Sequence, residues 1–450
     1  MGKYFGTDGF RGKAGVVLTS DHAYKTGRFL GMYYGKEKAA KIVIGMDTRR
    51  SGDMLSSSLC AGITASGGNV YLLNVTTTPC VSFITRTEGF DCGIMISASH
   101  NPFFDNGIKL MNSDGEKMRD DVQGLIEKYI DGEYEEIPFA SEDKIGTVTD
   151  YKEGISKYIE YLKGIAPFSF KGHKVALDCA NGSASFIGPE VFKALGAEIV
   201  VMGNTPDGVN INAGVGSTHL EALQKFVVEN GCEAGLAFDG DADRFLAVDE
   251  KGEQVNGDKV MYICGKYLHD KGRLKNNTVV TTIMSNFGLY KAFEAAGISY
   301  EKTDVGDKYV YENMKANDHI LGGEQSGHVI FREYARTGDG LVTAIKLMEV
   351  MLDTGRTLSD LAYEVTMFPQ VLKNVEVDDK DLTLNDPAVK ASVEECTKAL
   401  GADGRVLLRK SGTEPVLRVM AEAATKEDCE KYTDLMIEAM KKSGHLIKVR

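Results

Sequence analysis

The sequence predicts an α/β protein with three similar α/β domains, built on mixed, mainly parallel sheets, and a C-terminal α+β domain. Short apolar runs alternate with helical patterns in three successive parts of the chain, which is typical of open, largely parallel sheets. After residue 368 the pattern changes to strand, helix, a pair of strands around a basic glycine turn, and a final helix. A chain of 450 residues is also too long for one hydrophobic core.

The first domain is predicted over residues 1–150 and ends in an acidic, irregular stretch. Its predicted strands cover residues 41–47, 69–73 and 92–96. In such sheets, ligands bind beyond the carboxyl ends of the strands. Polar residues 47–50 and the pair Ser99-His100 follow two of these strands, so the sequence predicts a ligand site at that edge.

Glycine and proline predict two loops in this domain. Residues 6–12 hold three glycines and are predicted to form a loop whose only cation is Arg11. Pro102 excludes a continuing helix or central strand, and Asn106-Gly107 predicts a second tight turn. A loop nucleophile with acid/base groups nearby is typical of group transfer, and the groups here are Ser99, His100 and Lys109.

The α/β pattern restarts twice before the C-terminal domain. The predicted domains cover residues 151–254, 255–367 and 368–450. Predicted strands in the second and third domains lie at residues 174–180, 198–203, 234–238, 279–284, 300–305 and 320–321.

Three aspartates at alternate positions follow the predicted strand at 234–238. Asp239, Asp241 and Asp243 would repel one another when packed together unless a hard cation binds them. An EF-hand would use Glu250 at its twelfth position but needs glycine at the sixth, where Arg244 stands. The sequence therefore favours Mg²⁺, with open coordination positions for a phosphate.

Two further loops carry ligand-binding chemistry. The loop at 324–328 offers the acceptor Glu324, the amide of Gln325 and the hydroxyl of Ser326, which suit sugar hydroxyls or an amino group, while His328 could also be a structural histidine. The basic loop near 410 suits a phosphate monoester, because it combines cations, hydroxyls and a close glycine amide in a chain of net charge -13. Its candidate phosphate ligands are Arg409, Ser411, Gly412, Thr413 and Arg418.

Composition limits the other classes of function. The net charge of -13 argues against a non-specific nucleic-acid or anionic-membrane binder. No apolar run approaches the ~20 residues of a membrane span, and the N-terminus has no signal-peptide core. Eight scattered cysteines without a Cys-x-x-Cys motif predict buried, reduced thiols in a cytoplasmic protein. The chain has no Gly-x-x-x-x-Gly-Lys-Ser/Thr loop, so Ser99 itself is a candidate phosphate carrier.

Four of these loops together resemble the alpha-D-phosphohexomutase superfamily, in the right order over essentially the whole chain. They are Ser-Ala-Ser-His-Asn-Pro at 97–102, Asp-Gly-Asp-Ala-Asp-Arg at 239–244, Gly-Glu-Gln-Ser-Gly-His at 323–328 and Arg-Lys-Ser-Gly-Thr-Glu-Pro at 409–415. Details such as Gln325 are similar to bacterial members that act on glucosamine phosphates. Lys308 and Phe10 depart from the more usual Arg and Ile.

The resemblance implies interconversion of glucosamine 6-phosphate and glucosamine 1-phosphate, on the route to UDP-N-acetylglucosamine. It implies four domains around a cleft, the last resembling the TATA-binding-protein fold, in a cytoplasmic homodimer. Ser99 would carry the phosphate, and glucosamine 1,6-bisphosphate or glucose 1,6-bisphosphate would be the activator.

The resemblance also implies a role for each site residue. Ser99, Asp239, Asp241 and Asp243 would bind Mg²⁺. Lys109 or His100 would be the general acid/base, while Arg11 and Arg244 add positive charge. The sugar would contact Glu324, Ser326 and His328, and the non-reacting phosphate would contact the candidate ligands near 410.

Two other functions stay open at this point. One is a phosphoglucomutase or phosphomannomutase, and the other is a non-catalytic sugar-phosphate sensor in which Ser99 is inert. A serine hydrolase is disfavoured, because the chain has no Gly-x-Ser-x-Gly elbow and adjacent side chains such as Ser99 and His100 are expected to point apart.

Overall fold

A computed structural model describes the protein at residues 2–6, 8–411 and 416–450. The chain divides into two compact units. The first comprises Met1–Met284 and Ile298–Tyr363, and the second comprises Ser285–Gly297 and Glu364–Arg450. No helix in the described part of the chain is long and apolar enough to cross a membrane.

The first sheet has seven strands and mixed pairing. The strands are β1 (Phe5–Gly6), β2 (Gly9–Lys13), β3 (Lys41–Met46), β4 (Asn69–Val75), β5 (Cys92–Ile96), β6 (Asp105–Asn112) and β7 (Val148–Asp150). Their spatial order is β1-β2-β6-β5-β3-β4-β7. Pairing is parallel from β5 through β3 and β4 to β7, and antiparallel in the rest. The accompanying helices are α1 (Ser20–Tyr34), α2 (Gly52–Ala65), α3 (Thr78–Thr87) and α4 (Asp120–Ile130).

The second sheet repeats the arrangement with five strands. They are β8 (Lys174–Asp178), β9 (Glu198–Met202), β10 (Ala234–Phe238), β11 (Phe245–Asp249) and β12 (Gln254–Val255), in the order β12-β11-β10-β8-β9. Strands β8, β9 and β10 pair in parallel. The helices of this part are α5 (Glu153–Gly164), α6 (Ala184–Ala194) and α7 (Glu221–Asn230).

The third sheet has four strands. They are β13 (Thr278–Thr282), β14 (Ser299–Thr303), β15 (Leu321–Gly323) and β16 (Val329–Phe331), in the order β14-β13-β15-β16. The helices of this part of the chain are α8 (Gly257–Asp270), α9 (Phe287–Ala295), α10 (Asp307–Ala316), α11 (Gly340–Thr354) and α12 (Leu358–Tyr363). Of these, α9 belongs to the second unit.

The glycine-rich N-terminal segment is a β-hairpin and not the loop that the sequence predicts. β1 and β2 pair antiparallel, and β2 continues the sheet with Arg11 opposite Gly107 of β6. The predicted turn at Asn106-Gly107 is also wrong, since both residues lie inside β6. A glycine is needed there because a Cβ at position 107 would lie 2.5 Å from Ser97 O, so close packing rather than a turn explains it.

The C-terminal region is an antiparallel sheet with helices. Its strands, β17 (Gln370–Val377), β18 (Gly404–Lys410), β19 (Val416–Ala423) and β20 (Leu446–Val449), follow the order β18-β19-β17-β20. Its helices are α13 (Lys380–Asn385), α14 (Pro387–Leu400) and α15 (Lys426–Lys442). The predicted fold class is confirmed: three α/β regions with mixed sheets are followed by an α+β region with an antiparallel sheet.

Glu422 holds the start of α9 in the second unit. Its carboxylate is fully buried and accepts from Phe287 N at 3.0 Å and from Arg405 Nε at 2.6 Å. Arg405 Nη2 in turn donates to Ser285 O at 2.5 Å. Burial raises the pKa of Glu422, and the Arg405 guanidinium opposes that rise. The pair therefore connects the β18–β19 hairpin to the first residues of α9.

Replacing Arg405 with Met is expected to destabilise the second unit by about 3–5 kcal/mol at pH 7, because it leaves a buried carboxylate unpaired. Without Arg405 the pKa of Glu422 rises further in the folded state, whereas the unfolded glutamate has a pKa of about 4.3. The loss in unfolding free energy is therefore larger at pH 7 than at pH 4.5. Urea unfolding at both pH values measures it. Arg450→Met, which removes a partly exposed pair with Glu376, is the control and should cost about 0–1 kcal/mol; equal losses in the two variants would contradict the prediction.

Candidate active site

Ser99 follows β5 in a strained turn. Its backbone has φ of +53°, its side chain is fully buried, and its N–H donates to Ser97 Oγ at 2.9 Å. Positive φ is uncommon for a residue other than glycine and persists only where surrounding contacts enforce it. The turn therefore directs a hydroxyl into the protein rather than towards solvent.

A buried ion pair at the end of β3 enforces this turn. Asp47 accepts from Ser97 Oγ at 2.7 Å and from Arg49 Nε at 2.9 Å. Arg49 then donates to Ser99 O at 2.8 Å and to Pro102 O at 2.5 Å. Sequence reasoning placed residues 47–50 at the ligand edge of the sheet but gave neither of these two residues a role.

The three aspartates lie directly opposite Ser99. All three are buried, and each offers a ligand atom within 4.8 Å of the others. Ser99 Oγ donates to Asp239 Oδ2 at 2.5 Å. The Oδ1 atoms of Asp241 and Asp243 are buried without a hydrogen-bond partner among the described residues. Carboxylate oxygens with unused lone pairs fit a hard divalent cation, so the donor set agrees with the predicted metal site.

The other oxygens of two of these aspartates are already held. Lys109 Nζ lies 2.7 Å from Asp241 Oδ2 and 2.8 Å from Asp243 Oδ2. Thr78 Oγ1, at the start of α3, donates to the same Asp241 oxygen at 2.5 Å. These contacts fix the carboxylates so that their Oδ1 atoms stay available. Sequence reasoning missed Thr78, which lies 163 positions from Asp241 in the chain.

The charges of the cluster shift its pKa values strongly. Burial, reinforced by Asp243 and Asp241, raises the pKa of Asp239 well above its usual value. Burial acts in the same direction on Asp243, but the Lys109 ammonium overcomes it and lowers the pKa of that carboxyl. For Lys109, burial favours the neutral amine, yet the neighbouring aspartates raise its pKa well above the usual value. Lys109 is therefore an ammonium in this arrangement.

His100 contacts both Ser99 and a cation. Its Nδ1 lies 3.4 Å from Ser99 Oγ and accepts a short hydrogen bond from Arg244 Nη1. The expectation that Ser99 and His100 point apart is wrong, because the positive φ at Ser99 turns both side chains towards the aspartate loop. Burial, together with Arg244 and Arg11, lowers the pKa of His100 to about 4.

The N-terminal hairpin brings Arg11 to the same place through Asp8. Asp8 pairs with Arg11, and its carboxylate also lies 3.4 Å from Lys109 Nζ and 3.0 Å from Lys117 Nζ. Burial opposes ionisation of Asp8, but Lys109 and Lys117 lower its pKa well below the usual value. Sequence reasoning named Arg11 and Lys109, whereas Asp8 and Lys117 carried no signal that set them apart.

The predicted sugar loop joins β15 to β16 beside the aspartate loop. Phe245, which follows that loop, donates its N–H to Gly327 O at 2.9 Å, and Gly327 has φ of +95°. Glu324 Oε1 accepts from Gly306 N at 3.0 Å, and burial raises the Glu324 pKa. His328 is buried and Ser326 is exposed. The structure therefore places the three predicted sugar ligands on one loop of the first unit.

The predicted phosphate ligands belong to the second unit. Arg409 of β18 lies directly opposite Arg418 of β19, and Ser411 donates its N–H to Val416 O at 3.0 Å. Gly412 and Thr413 lie outside the described residues. As cross-strand partners, these two arginines extend from the same face of the sheet, and a pair of cations on one face suits a doubly charged phosphate.

Comparisons with known proteins agree with this arrangement. Four models of the phosphoglucomutase/phosphomannomutase family match the chain: alpha/beta/alpha domain I at residues 2–136, domain II at 156–252, domain III at 256–368 and the C-terminal domain at 372–439. A relative from Lachnospira eligens, named phosphoglucosamine mutase, is 60% identical over 450 residues, which cover 99% of this chain and 100% of that protein. The chain belongs to the phosphoglucomutase/phosphomannomutase family.

Solved structures of the family share the fold. A phosphoglucomutase/phosphomannomutase family protein from Burkholderia thailandensis is similar with a TM-score of 0.83 and 25% identity, covering 99% of this chain and 98% of that one. An Aspergillus fumigatus N-acetylphosphoglucosamine mutase, solved with GlcNAc-6P and magnesium, has a TM-score of 0.71 at 17% identity, covering 99% and 96% of the two chains. At that identity the second likeness concerns the fold alone.

Replacing Thr78 with Val is expected to weaken divalent-cation binding by about tenfold, because the isosteric change frees Asp241 Oδ2 from its hydroxyl partner and loosens a ligand. Titration with Mn²⁺, followed by calorimetry or electron paramagnetic resonance, measures the dissociation constant. Thr85→Val is a matched control, since Thr85 is buried on the same helix and donates only within it, to Val81 O at 2.6 Å. Equal Mn²⁺ affinity in the two variants would show that Thr78 has no such effect.

Proposed function

We propose that the protein is a phosphoglucosamine mutase, which interconverts glucosamine 6-phosphate and glucosamine 1-phosphate. The observation that carries the proposal is the buried Ser99 hydroxyl, whose Oγ lies 2.5 Å from Asp239 Oδ2, beside three aspartates that could hold a metal ion. The chain is also 60% identical to a protein named phosphoglucosamine mutase. A serine in this position suits a phosphate carrier, because a phosphoryl group on its oxygen would enter the cluster of cations and carboxylates described above.

The reaction would proceed in two transfers. The phosphoryl group on Ser99 Oγ passes to the free hydroxyl of the bound monophosphate, so that one P–O bond breaks at the serine and another forms at the sugar. The hydroxyl proton passes to a general base, and a proton is supplied to Ser99 Oγ as it leaves. Lys109 and His100 are the two candidates for these roles, and Lys109, as an ammonium, is suited to donate before it can accept. The resulting 1,6-bisphosphate reverses its orientation in the site and returns its other phosphoryl group to Ser99, which completes the isomerisation.

The residues around Ser99 supply the electrostatic stabilisation that phosphoryl transfer requires. Arg244 and Arg11 add positive charge beside the serine. The serine oxygen and the three aspartates would hold Mg²⁺, which when bound neutralises charge developing on the transferring group. The choice of magnesium as the metal is supported by an all-oxygen donor set with two carboxylate oxygens that accept no hydrogen bond from the described residues.

Recognition of the substrate would be divided between two loops. We assign the sugar to Glu324, Ser326 and His328, and the non-reacting phosphate to Arg409, Ser411, Gly412, Thr413 and Arg418. The phosphoserine, metal, sugar and phosphate functions would then correspond to the predicted domains at 1–150, 151–254, 255–367 and 368–450. Glucosamine 1,6-bisphosphate or glucose 1,6-bisphosphate would load Ser99 as activator, in a cytoplasmic homodimer.

A comparison of substrates tests the proposed specificity. With catalytic 1,6-bisphosphate present, we expect kcat/KM for glucosamine 6-phosphate to exceed the values for glucose 6-phosphate and mannose 6-phosphate by at least about tenfold. The alternative is a phosphoglucomutase or phosphomannomutase, which the family description also includes. A higher kcat/KM with glucose or mannose 6-phosphate would establish that alternative.

Intact-mass measurement tests the phosphate carrier. After incubation with the 1,6-bisphosphate, the protein should gain one phosphoryl group, and Ser99→Ala should abolish both the adduct and turnover. Ser326→Ala is the control, since it should retain the adduct and mainly raise KM. Turnover that persists in Ser99→Ala would exclude the mechanism, and a protein without adduct or turnover would instead be a sugar-phosphate sensor.

A further inference from the structure

Lys117 lies between two carboxylates that belong to different parts of the first unit. Its Nζ is 3.0 Å from Asp8 Oδ1 and 2.7 Å from Asp307 Oδ1. Asp8 lies between strands β1 and β2 of the N-terminal hairpin, and its carboxylate is 3.4 Å from Lys109 Nζ. Asp307 begins α10, and its other oxygen is 3.2 Å from His328 Nε2. One ammonium therefore connects the lysine at the aspartate triad to the histidine of the sugar loop.

We propose that Lys117 is a positioning residue that sets the alignment of Lys109 with His328 during phosphoryl transfer. The inference rests on the proposed mutase function. Lys117 acts through the two carboxylates, Asp8 and Asp307, rather than on the reacting serine. Its role follows from geometry, because a displacement of about 1 Å between reacting groups can cost 100-fold in rate. Lys117 bridges Asp8, which faces Lys109, and Asp307, which faces His328, and so fixes the distance between the two.

Electrostatics explain why neutral packing cannot replace the ammonium. Burial works against ionisation of both carboxyl groups, yet Lys109 and Lys117 lower the pKa of Asp8, and Lys117 lowers the pKa of Asp307. Both are therefore carboxylates near neutral pH. Without Lys117, two like charges face each other in a partly buried site, and their repulsion separates the loops that carry them.

Two neighbouring ion pairs keep α10 attached when Lys117 is changed, so the repulsion displaces Asp307 at its start without unfolding the helix. Lys308 Nζ lies 2.7 Å from both carboxylate oxygens of Asp120, and Lys315 Nζ lies 2.8 Å from both oxygens of Glu116. These pairs join α10 to Asp120, the first residue of α4, and to Glu116 just before that helix. The side chain of Lys315 is 56% exposed, against 26% for Lys117. Lys315 is thus a matched control at one interface.

The first experiment compares Lys117→Met with Lys315→Met, using glucosamine 6-phosphate and glucose 1,6-bisphosphate. We expect Lys117→Met to lower kcat by about 10- to 100-fold with KM changed less than about threefold, and Lys315→Met to leave both within about twofold. Lys117→Arg restores the charge and should recover most of kcat. Unchanged kcat in Lys117→Met, or an equal loss in Lys315→Met, would overturn the proposal.

A double variant separates positioning from general destabilisation. If Lys117 acts through Asp307, Lys117→Met combined with Asp307→Asn should lose no more kcat than Lys117→Met alone, whereas multiplied losses would overturn the proposal. Should Lys117→Met fail to fold, Asp307→Asn and Lys117→Arg give the same kcat-against-KM comparison. The wild-type rate distinguishes the two hypotheses: absent turnover of any hexose phosphate refutes the mutase, whereas normal turnover with an unaffected Lys117→Met refutes only this inference.

Discussion

Mutual repulsion of three buried carboxylates is the constraint on which the site depends. Asp239, Asp241 and Asp243 present oxygens within 4.8 Å of one another, at a depth where Coulomb energies are several times larger than in water. The repulsion is relieved by cations that face the group and by the raised pKa of Asp239, which favours its neutral form. Lys109 supplies one of these cations, and a divalent ion would complete the balance at the unused oxygens.

The three sheets of the first unit meet this constraint together. The first contributes Ser99 and Lys109, the second contributes the aspartate loop, and the third contributes His328 on a loop that hydrogen-bonds the strand after that aspartate loop. Ser99, the aspartate loop and His328 each follow the carboxyl end of a strand, which is where ligands bind in sheets of this kind. The charge cluster therefore joins the three α/β parts of the unit as well as preparing them for chemistry.

Local sequence patterns predicted the central apolar strands, such as β3, β5, β8 and β10, and the aspartate loop, because apolar periodicity and the positions of glycine and proline are local signals. They failed where a distant contact decides the conformation. Gly107 looks like a turn residue, but it lies within β6, where glycine is needed because a Cβ would lie 2.5 Å from Ser97 O. Thr78 escaped notice because its hydrogen-bond partner Asp241 is far away in sequence. Asp47 was placed at the ligand edge but without a role, since its partner Ser97 is also distant along the chain.

The positive φ of Ser99 connects this constraint to the proposed chemistry. A left-handed serine costs about 1–3 kcal/mol, and the buried Asp47–Arg49 pair offsets that cost by binding Ser97 Oγ and two carbonyl groups of the turn. A relaxed turn would let the hydroxyl move away from Asp239. The strain is therefore consistent with a serine that must stay beside the metal-ready carboxylates while the bound sugar, rather than the protein, changes its orientation.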